Sequence, residues 1–507
     1  MTREMDLSRQ RRGVVLVVLW ATSFLTSVDT SAHSIAVGTL LQQLGDRPVM
    51  RTSVWIPKAH VLGFAALLMI GGALTDRFGA KRVLVGGYLL YIGGTAAELA
   101  LVTTSIPLIV IRVIMGAGAA VMIPATLSIL TTIGRSVLER AKTVTVWAGC
   151  CAAGVTVVPL ICGLILNHVW WPRVVAALGA IAVLSLIGVV VFVPATPADR
   201  TAAVDWPTIG TVTLGFGLVM FALVQAPDWG WSAPAVVATM VAGVALLVWS
   251  AIRRRGGSLP HDFFLRADTR VRPAMYALVG AIMALFGSVF LIVQYLQAVR
   301  GHTPIVAGWL LFLPACGATV IGVKVGSELQ RRFGIPATLV VGLTAMLNGL
   351  ATGLPADAKG ELGPIVAMVT VVSVGFAVVL RVALGTMSAA LPLARNGIAW
   401  AATATAIPFG GLLGVAIVGS LVDRGYHDHL VMPAKVPSHD GAVVSANSVG
   451  RGVAVATSAG ERVADAVQNA FLAGYRHGLL ATIAVVAVMV VAILVSAARS
   501  AKSTVSR

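Results

Sequence analysis

The chain is dominated by a succession of apolar runs, each about 20 residues long and separated by short polar gaps. A run of that length forms a helix that crosses the hydrocarbon core of a bilayer. Of the 507 residues, 58% are hydrophobic and 11% are charged, which is more apolar surface than a soluble core buries. The sequence therefore predicts an all-α integral membrane protein and excludes a soluble single-core enzyme.

We predict fourteen transmembrane helices from these runs, which places both termini on one side of the membrane. Most of the 37 Lys and Arg residues lie in gaps on that side, so the positive-inside rule makes both termini cytoplasmic. Met1–Arg12 is basic and is followed by no small-residue cleavage site, which predicts a retained first helix. The predicted spans are 13–37, 54–75, 83–104, 107–130, 143–166, 173–195, 207–226, 233–252, 274–297, 305–327, 336–353, 363–388, 397–421 and 476–497.

Several other classes of function are disfavoured. The net charge of +17 does not indicate nucleic-acid binding, because the basic residues lie in short gaps between apolar runs. The four cysteines lie inside apolar runs without metal-ligand spacing, so we interpret them as packing residues and predict no metal site. No phosphate-binding Gly-Lys-Ser/Thr loop and no nucleophile–base arrangement is present, so we predict neither ATP drive nor an enzyme.

A weak internal repeat predicts two related halves. Leu74-Thr-Asp-Arg-Phe-Gly79 recurs as Leu329-Gln-Arg-Arg-Phe-Gly334, and each copy follows an apolar run. Many secondary transporters consist of two such bundles with the substrate path between them. We predict a cytoplasmic tail at 1–12, a six-helix bundle at 13–200, two linking helices at 201–256, a second six-helix bundle at 257–497 with a long outer loop at 422–475, and a cytoplasmic tail at 498–507.

The segment Gly72-Ala-Leu-Thr-Asp-Arg-Phe-Gly-Ala-Lys-Arg82 resembles the loop signature of the major facilitator superfamily. Its glycines permit a tight cytoplasmic turn. Its acid and bases are suited to binding neighbouring helix ends in one conformation and releasing them in another. The resemblance therefore implies a gating loop, formed by Gly72, Asp76, Arg77, Gly79, Lys81 and Arg82.

Two further segments are similar to motifs of the same family, each with departures. The segment around Arg112 resembles the fourth-helix motif, with Met115 where a glutamine is usual. The fifth helix resembles the antiporter motif through Gly154, Pro159 and Gly163, while Val158 and Cys162 replace two glycines. Later segments, including Gly410–Gly414, are similar to the fourteen-helix drug:proton antiporter branch.

Ionisable residues inside predicted spans cost at least about 2.5–3.5 kcal/mol each and indicate function. Asp29 shares a polar stripe of helix 1 with His33, and we interpret it as a proton-carrying or cation-binding carboxylate, or as an acid neutralised by a packing partner. Glu98 is a second protonation site or extends to the interface. Arg112 is expected to act in proton coupling or gating, and Arg381 to pair with an acid or meet an anionic substrate group.

Three more polar residues near the ends of spans leave alternatives open. Lys324 is interpreted as reaching the cytoplasmic interface along its own helix. Lys58 and His60 stand where the resembled branch has a small hydroxyl residue and a tyrosine. Both are interpreted as residues at the outer membrane surface, or His60 joins His33 as a group that titrates near neutral pH.

The resemblance implies a proton-driven exporter of small lipophilic compounds or drugs, located in the bacterial inner membrane and working by alternating access. The expected partners are a small-molecule substrate, protons and membrane lipid. Nucleic acid is not expected as a partner, and we predict a monomer that needs no cofactor beyond the proton gradient. One alternative is a dedicated transporter of a single anionic metabolite or self-made antibiotic, and another is a sensor or assembly factor built on a transporter scaffold.

Overall fold

The computed structural model describes residues 9–43, 50–101, 104–165, 171–196, 205–253, 271–358, 360–390, 396–430 and 461–505. Within these ranges the chain is helical and contains no β-strand. The helices are α1 (Arg9–Gln43), α2 (Met50–Phe78), α3 (Ala80–Leu101), α4 (Ser105–Ile133), α5 (Val137–Ile165), α6 (Trp171–Phe192), α7 (Trp206–Trp229), α8 (Pro234–Ile252), α9 (Val271–Gln294), α10 (Pro304–Thr352), α11 (Gly363–Ala390), α12 (Gly397–Ala404), α13 (Ala406–His429) and α14 (Glu461–Val505). A π-helical turn, Tyr295–Val299, follows α9.

Twelve segments of the described residues are long and apolar enough to cross a bilayer. One of them contains α12 and α13 together, and another is the 48-residue stretch Ile305–Thr352 of α10. Gly334 interrupts α10 with a φ of 76°, a value outside the right-handed helical region. The all-helical, many-spanning architecture is confirmed, whereas the number fourteen stays a prediction.

The chain divides into two compact units. The first contains Met1–Arg272 and Leu384–Pro408, and the second contains Pro273–Ala383 and Phe409–Arg507. Helices α2, α7 and α12 of the first unit share one apolar core, which consists of Met69, Ala73, Ile209, Val212, Ala401 and Ala402. The predicted bundle boundaries and the linking role of α7 and α8 remain predictions.

Within the first unit, α2 and α4 pack backbone against backbone. A Cβ added at Gly63 would lie 2.6 Å from the carbonyl oxygen of Val113, and one added at Gly116 would overlap the carbonyl oxygen of His60. Small residues at membrane helix contacts permit such close approach. The contact places His60 of α2 beside the turn of α4 that carries Arg112.

The outer loop predicted at 422–475 is helical at both of its ends. Helix α13 continues to His429 and α14 begins at Glu461, while 431–460 lies outside the described residues. The start of α14 buries an apolar stripe at helical spacing, formed by Val463, Val467, Ala470 and Phe471. The surrounding polar residues lower the mean hydropathy of this segment, which is why a search for apolar runs does not find it.

Candidate functional site

Helix α1 carries a polar stripe that lies buried inside the first unit. Thr22, Asp29 and His33 have no exposed surface, and Thr26 is 7% exposed. The Thr22 hydroxyl lies 2.7 Å from the hydroxyl of Tyr88 on α3, and Thr26 donates to a carbonyl of its own helix. The stripe therefore faces neighbouring helices rather than lipid.

Asp29 forms a fully buried ion pair with Arg112 of α4. Arg112 Nη1 donates to Asp29 Oδ2 at 2.8 Å and to Asp29 Oδ1 at 3.1 Å. The same nitrogen lies 3.9 Å from the sulfur of Met115. For the alternative in which Asp29 is neutralised by a packing partner, that partner is Arg112, which lies 83 residues away in the chain.

Glu98 of α3 is buried, at 6% exposed, and lies against His33. The distance between His33 Nε2 and Glu98 Oε1 is 2.9 Å. The other ring nitrogen, Nδ1, lies 3.0 Å from the carbonyl oxygen of Asp29 and 3.3 Å from its Oδ1. Glu98 therefore does not extend to the interface, and His33 connects two acidic residues of different helices.

His60 and Tyr91 complete this cluster, which we call the charge cluster: Asp29, His33, His60, Tyr91, Glu98 and Arg112. His60 is 2% exposed and its Nδ1 lies 3.7 Å from Asp29 Oδ2, so it is not at the membrane surface. Tyr91 is fully buried. Four helices, α1 to α4, contribute to the cluster. A low-dielectric interior strengthens interactions among these charges and makes an unpaired one costly.

The predicted gating loop consists of the end of α2, the turn at Gly79 and the start of α3, and it binds the start of α12 through Asp76 and Gly72. Asp76 Oδ1 accepts a hydrogen bond from the Gly397 amide at 2.7 Å, and Oδ2 accepts one from the Ile398 amide at 3.0 Å. An acid at a helix N-terminus satisfies free amides and complements the helix dipole. A Cβ added at Gly72 would lie 2.7 Å from the Gly397 carbonyl oxygen, and Gly79 makes the turn with a φ of 87°.

The basic residues of this segment, Arg77 at the end of α2 and Lys81 and Arg82 at the start of α3, lie in three different environments. Lys81 Nζ donates to the carbonyl oxygens of Val190 at 2.9 Å and Val193 at 2.6 Å, at the carboxyl end of α6, where a cation is favoured. The Arg77 guanidinium lies 5.8 Å from the ring centre of Trp206 at the start of α7. Arg82 is exposed.

A buried polar network beside this loop was not predicted from the sequence. Ser128 Oγ donates to Asn396 Oδ1 at 2.6 Å, and Asn396 Nδ2 donates to Thr131 Oγ1 at 2.9 Å. Trp400 Nε1 donates to the same threonine oxygen at 3.3 Å. These residues connect α4 to the start of α12, and ordinary Ser, Thr and Asn residues in apolar runs give no signal for such a contact.

The antiporter-like segment of α5 is described only in part. A Cβ added at Gly154 would lie 2.8 Å from the carbonyl oxygen of Phe24 in α1, so this glycine permits close contact between α1 and α5. Pro159 and Gly163 belong to α5, but their surroundings lie outside the described residues.

Arg381 of α11 belongs to the second unit and is 7% exposed. Among the residues that the structure describes, none forms an ion pair with it. Lys324 of α10 is exposed. Of the five intramembrane charges in the sequence, three thus meet in the charge cluster, and the other two belong to the second unit.

Two members of the charge cluster were missed or read differently from sequence. Tyr91 precedes Glu98 by seven residues on α3, so the two lie on one helical face, and that spacing was the available signal. The sequence left a position at the membrane surface open for His60, but its side chain lies in the cluster. Lys58, two residues earlier, pairs with Asp228 of α7 and donates to the Val224 carbonyl at 3.1 Å.

Comparison with known sequences gives a consistent set of relatives. Residues 19–415 match the sequence model of the Major Facilitator Superfamily. The chain is similar to the multidrug efflux pump LfrA of Mycolicibacterium smegmatis, at 28% identity over 95% of each chain. It is also similar to the puromycin resistance protein pur8 of Streptomyces alboniger, at 29% identity over 90% of each. The tetracenomycin C resistance and export protein of Streptomyces glaucescens is 26% identical over 97% of this chain and 93% of that protein.

Solved structures share the fold at low sequence identity. The proton:xylose symporter XylE is 14% identical with a TM-score of 0.57, over 94% of this chain and 95% of that one. The human organic anion transporter MFSD10 is 12% identical with a TM-score of 0.57, over 96% of this chain and 100% of that one. At these identities the likeness concerns the fold alone.

Proposed function

The chain belongs to the Major Facilitator Superfamily and is a multi-pass membrane transporter, not an enzyme, and from this premise we propose that it exports small lipophilic compounds in exchange for protons. An inward-facing conformation takes up the compound from the cytoplasm or inner leaflet. An outward-facing conformation releases the compound and takes up a proton. The efflux and resistance proteins among its relatives support the direction and class of substrate.

The charge cluster is the part of the chain that we assign to proton coupling. The observation that carries this assignment is the ion pair of Asp29 and Arg112, which has no exposed surface inside an apolar bundle. Removing one partner of such a pair leaves an uncompensated buried charge and costs about 3–5 kcal/mol. Protonation of an acid in the cluster therefore changes which helix arrangement is favoured, and that dependence couples proton movement to conformation.

The gating loop regulates the same movement at the other end of α2. Asp76 holds the start of α12 and Lys81 holds the end of α6. Because these contacts join helix ends rather than helix faces, they are able to form and release without unfolding either helix. We assign Gly72, Asp76 and Lys81 to this role.

The membrane topology that we propose has fourteen spans and cytoplasmic termini. The Gly334 break divides the 48-residue stretch of α10 into two helices of spanning length. Helix α5, with 29 residues, supplies the remaining span. The basic residues gathered in the gaps on the side of the termini support the orientation. Single cysteines placed in each loop test this topology. A membrane-impermeant thiol reagent should label the outer loops in intact cells and the cytoplasmic loops in inverted vesicles.

Proton-linked transport in inverted membrane vesicles tests the function. Quenching of a pH-sensitive dye is followed while lipophilic cations and organic anions are added in turn. We expect proton movement with several lipophilic cations, and loss of that movement in Asp29→Asn. Asp428→Asn is the matched control, because Asp428 is an exposed acid of α13. No proton movement with any compound, or an Asp29→Asn variant that transports normally, would contradict the proposal.

A dedicated transporter of one anion is the second candidate, and Arg381 is the observation that favours it. A buried guanidinium with no ion pair among the described residues is suited to meet an anionic group of a substrate. This candidate predicts a response to one anion alone, which Arg381→Ala abolishes and Arg381→Lys partly retains. A broad response to cations that is unchanged in Arg381→Ala excludes it.

A further inference from the structure

His33 has an unusual set of neighbours for a buried histidine, because each of its ring nitrogens faces an oxygen acceptor. Nδ1 lies 3.0 Å from the Asp29 carbonyl oxygen and 3.3 Å from its Oδ1. Nε2 lies 2.9 Å from Glu98 Oε1. All three side chains are buried, with exposures of 0% for His33 and Asp29 and 6% for Glu98.

Hydrogen-bond valence fixes how many protons this arrangement requires. A carbonyl oxygen only accepts, so Nδ1 must carry a hydrogen. A neutral imidazole then has a bare Nε2, and a carboxylate is also an acceptor, so these two atoms would repel each other at 2.9 Å. One additional proton between Nε2 and Oε1 removes the repulsion, as imidazolium with carboxylate or as imidazole with carboxylic acid.

The charge balance of the cluster leads to the same proton. Arg112 neutralises Asp29, which receives both bonds of Nη1. His33 and Glu98 with one shared proton are then neutral as a pair. The other titratable groups of the cluster are His60 of α2, which interacts with His33, and Tyr91 of α3, which interacts with Asp29 and Glu98; a neutral imidazole and a neutral phenol add no charge to this balance. Without the shared proton, Glu98 would be a buried anion, and Arg112 would have to neutralise both Glu98 and Asp29.

We propose that the proton exchanged for substrate resides between His33 Nε2 and Glu98 Oε1, while Asp29 positions Arg112. This rests on the proposed function and names the proton-carrying atoms of the same site. On release, the proton passes to water, Nε2 becomes a bare acceptor and Glu98 an anion. Arg112 is then drawn from Asp29 towards Glu98, because Nε and Nη2 of Arg112 have no hydrogen-bond partner among the described residues. Because Arg112 belongs to α4 and Asp29 to α1, this movement shifts α4 relative to α1, and proton release is thereby coupled to a change in helix arrangement.

Nitrogen-15 NMR of the detergent-solubilised protein locates this proton without any substrate. The protein is labelled on its nine histidines, and the His33 signals are identified by their loss in His33→Gln. At about pH 8, where a free imidazole is neutral, we expect Nε2 of His33 to show a bound or shared proton. In Glu98→Gln we expect an ordinary neutral ring. A neutral His33 with bare Nε2 in the unaltered protein, or identical spectra in Glu98→Gln, would overturn the inference.

Transport measurements then separate this inference from the proposed function. In Glu98→Gln we expect uphill transport driven by a pH gradient to fall at least about tenfold more than exchange of labelled substrate at equal concentrations. A Glu98→Gln variant that keeps gradient-driven transport would overturn the proton-carrying role. A shared proton at His33 together with no proton-linked flux in the unaltered protein would instead refute the proposed function and leave the proton's location standing.

Discussion

Replacing Asp76 by alanine is expected to release the first turn of α12 from α2. The substitution removes both oxygens that accept from the Gly397 and Ile398 amides. A hydrogen bond to a charged group contributes about 1.5–3 kcal/mol, and the half-buried position of Asp76 favours the lower end. Asn396, the residue before α12, makes no cap hydrogen bond that would compensate. We therefore expect a local destabilisation of about 2–4 kcal/mol.

Hydrogen exchange followed by mass spectrometry measures this quantity directly. At about 1.4 kcal/mol per factor of ten, peptides that contain the amides of 397 and 398 should exchange about 30-fold to 700-fold faster. Asp205→Ala is the matched control, because Asp205 accepts from the Thr208 amide at the start of α7. It should accelerate exchange at α7 and leave α12 unchanged. Equal exchange at α12 in Asp76→Ala and the unaltered protein would refute the reasoning.

Three further experiments probe the first unit. Gly116→Val should lower the melting temperature in detergent through about 1–3 kcal/mol of overpacking, since a Cβ there overlaps a carbonyl of α2; an unchanged value would contradict the close packing. Glu139, outside the apolar part of α5, is partly desolvated, but its bond to Arg12 lowers its pKa. The stability that Glu139→Gln removes should therefore be present at pH 7 and shrink as the pH falls through the lowered pKa of this carboxyl. A double-mutant cycle on Lys58 and Asp228, a partly exposed pair, should give a coupling below about 1 kcal/mol.

The sequence predicts the helices well because lipid imposes a simple rule on each of them. A spanning segment needs a long apolar run, and no partner elsewhere in the chain is required to recognise it. The same rule fails at the start of α14, where residues such as Val463 and Phe471 are buried by packing of one helical face. Such a segment is apolar on one side only, so a search for about 20 consecutive apolar residues classifies it as a loop.

The sequence predicts the members of the charge cluster better than their arrangement. Asp29, Glu98 and Arg112 are each conspicuous as charges within apolar runs. Their convergence depends on how α1, α3 and α4 rotate against one another, which is set by packing across 65 to 83 residues of chain. His60 shows the limit most clearly, since its inward position follows from the contact with Gly116, which no local pattern encodes.

Gly79 and Gly334 occupy equivalent positions of the two repeated segments and both have positive φ angles, 87° and 76°. The turn itself has thus been kept in both copies, while the chemistry around it has diverged. Asp76 corresponds to Arg331, and Lys81 to Pro336, so the second copy has neither the acid for a helix N-terminus nor the base for a C-terminus. Its Arg331 pairs instead with the neighbouring Glu328 at 2.8 Å. Two turns of similar sequence therefore differ in their contacts: the residues around Gly79 bind the ends of other helices, whereas Arg331 and Arg332 before Gly334 pair with Glu328 of their own helix.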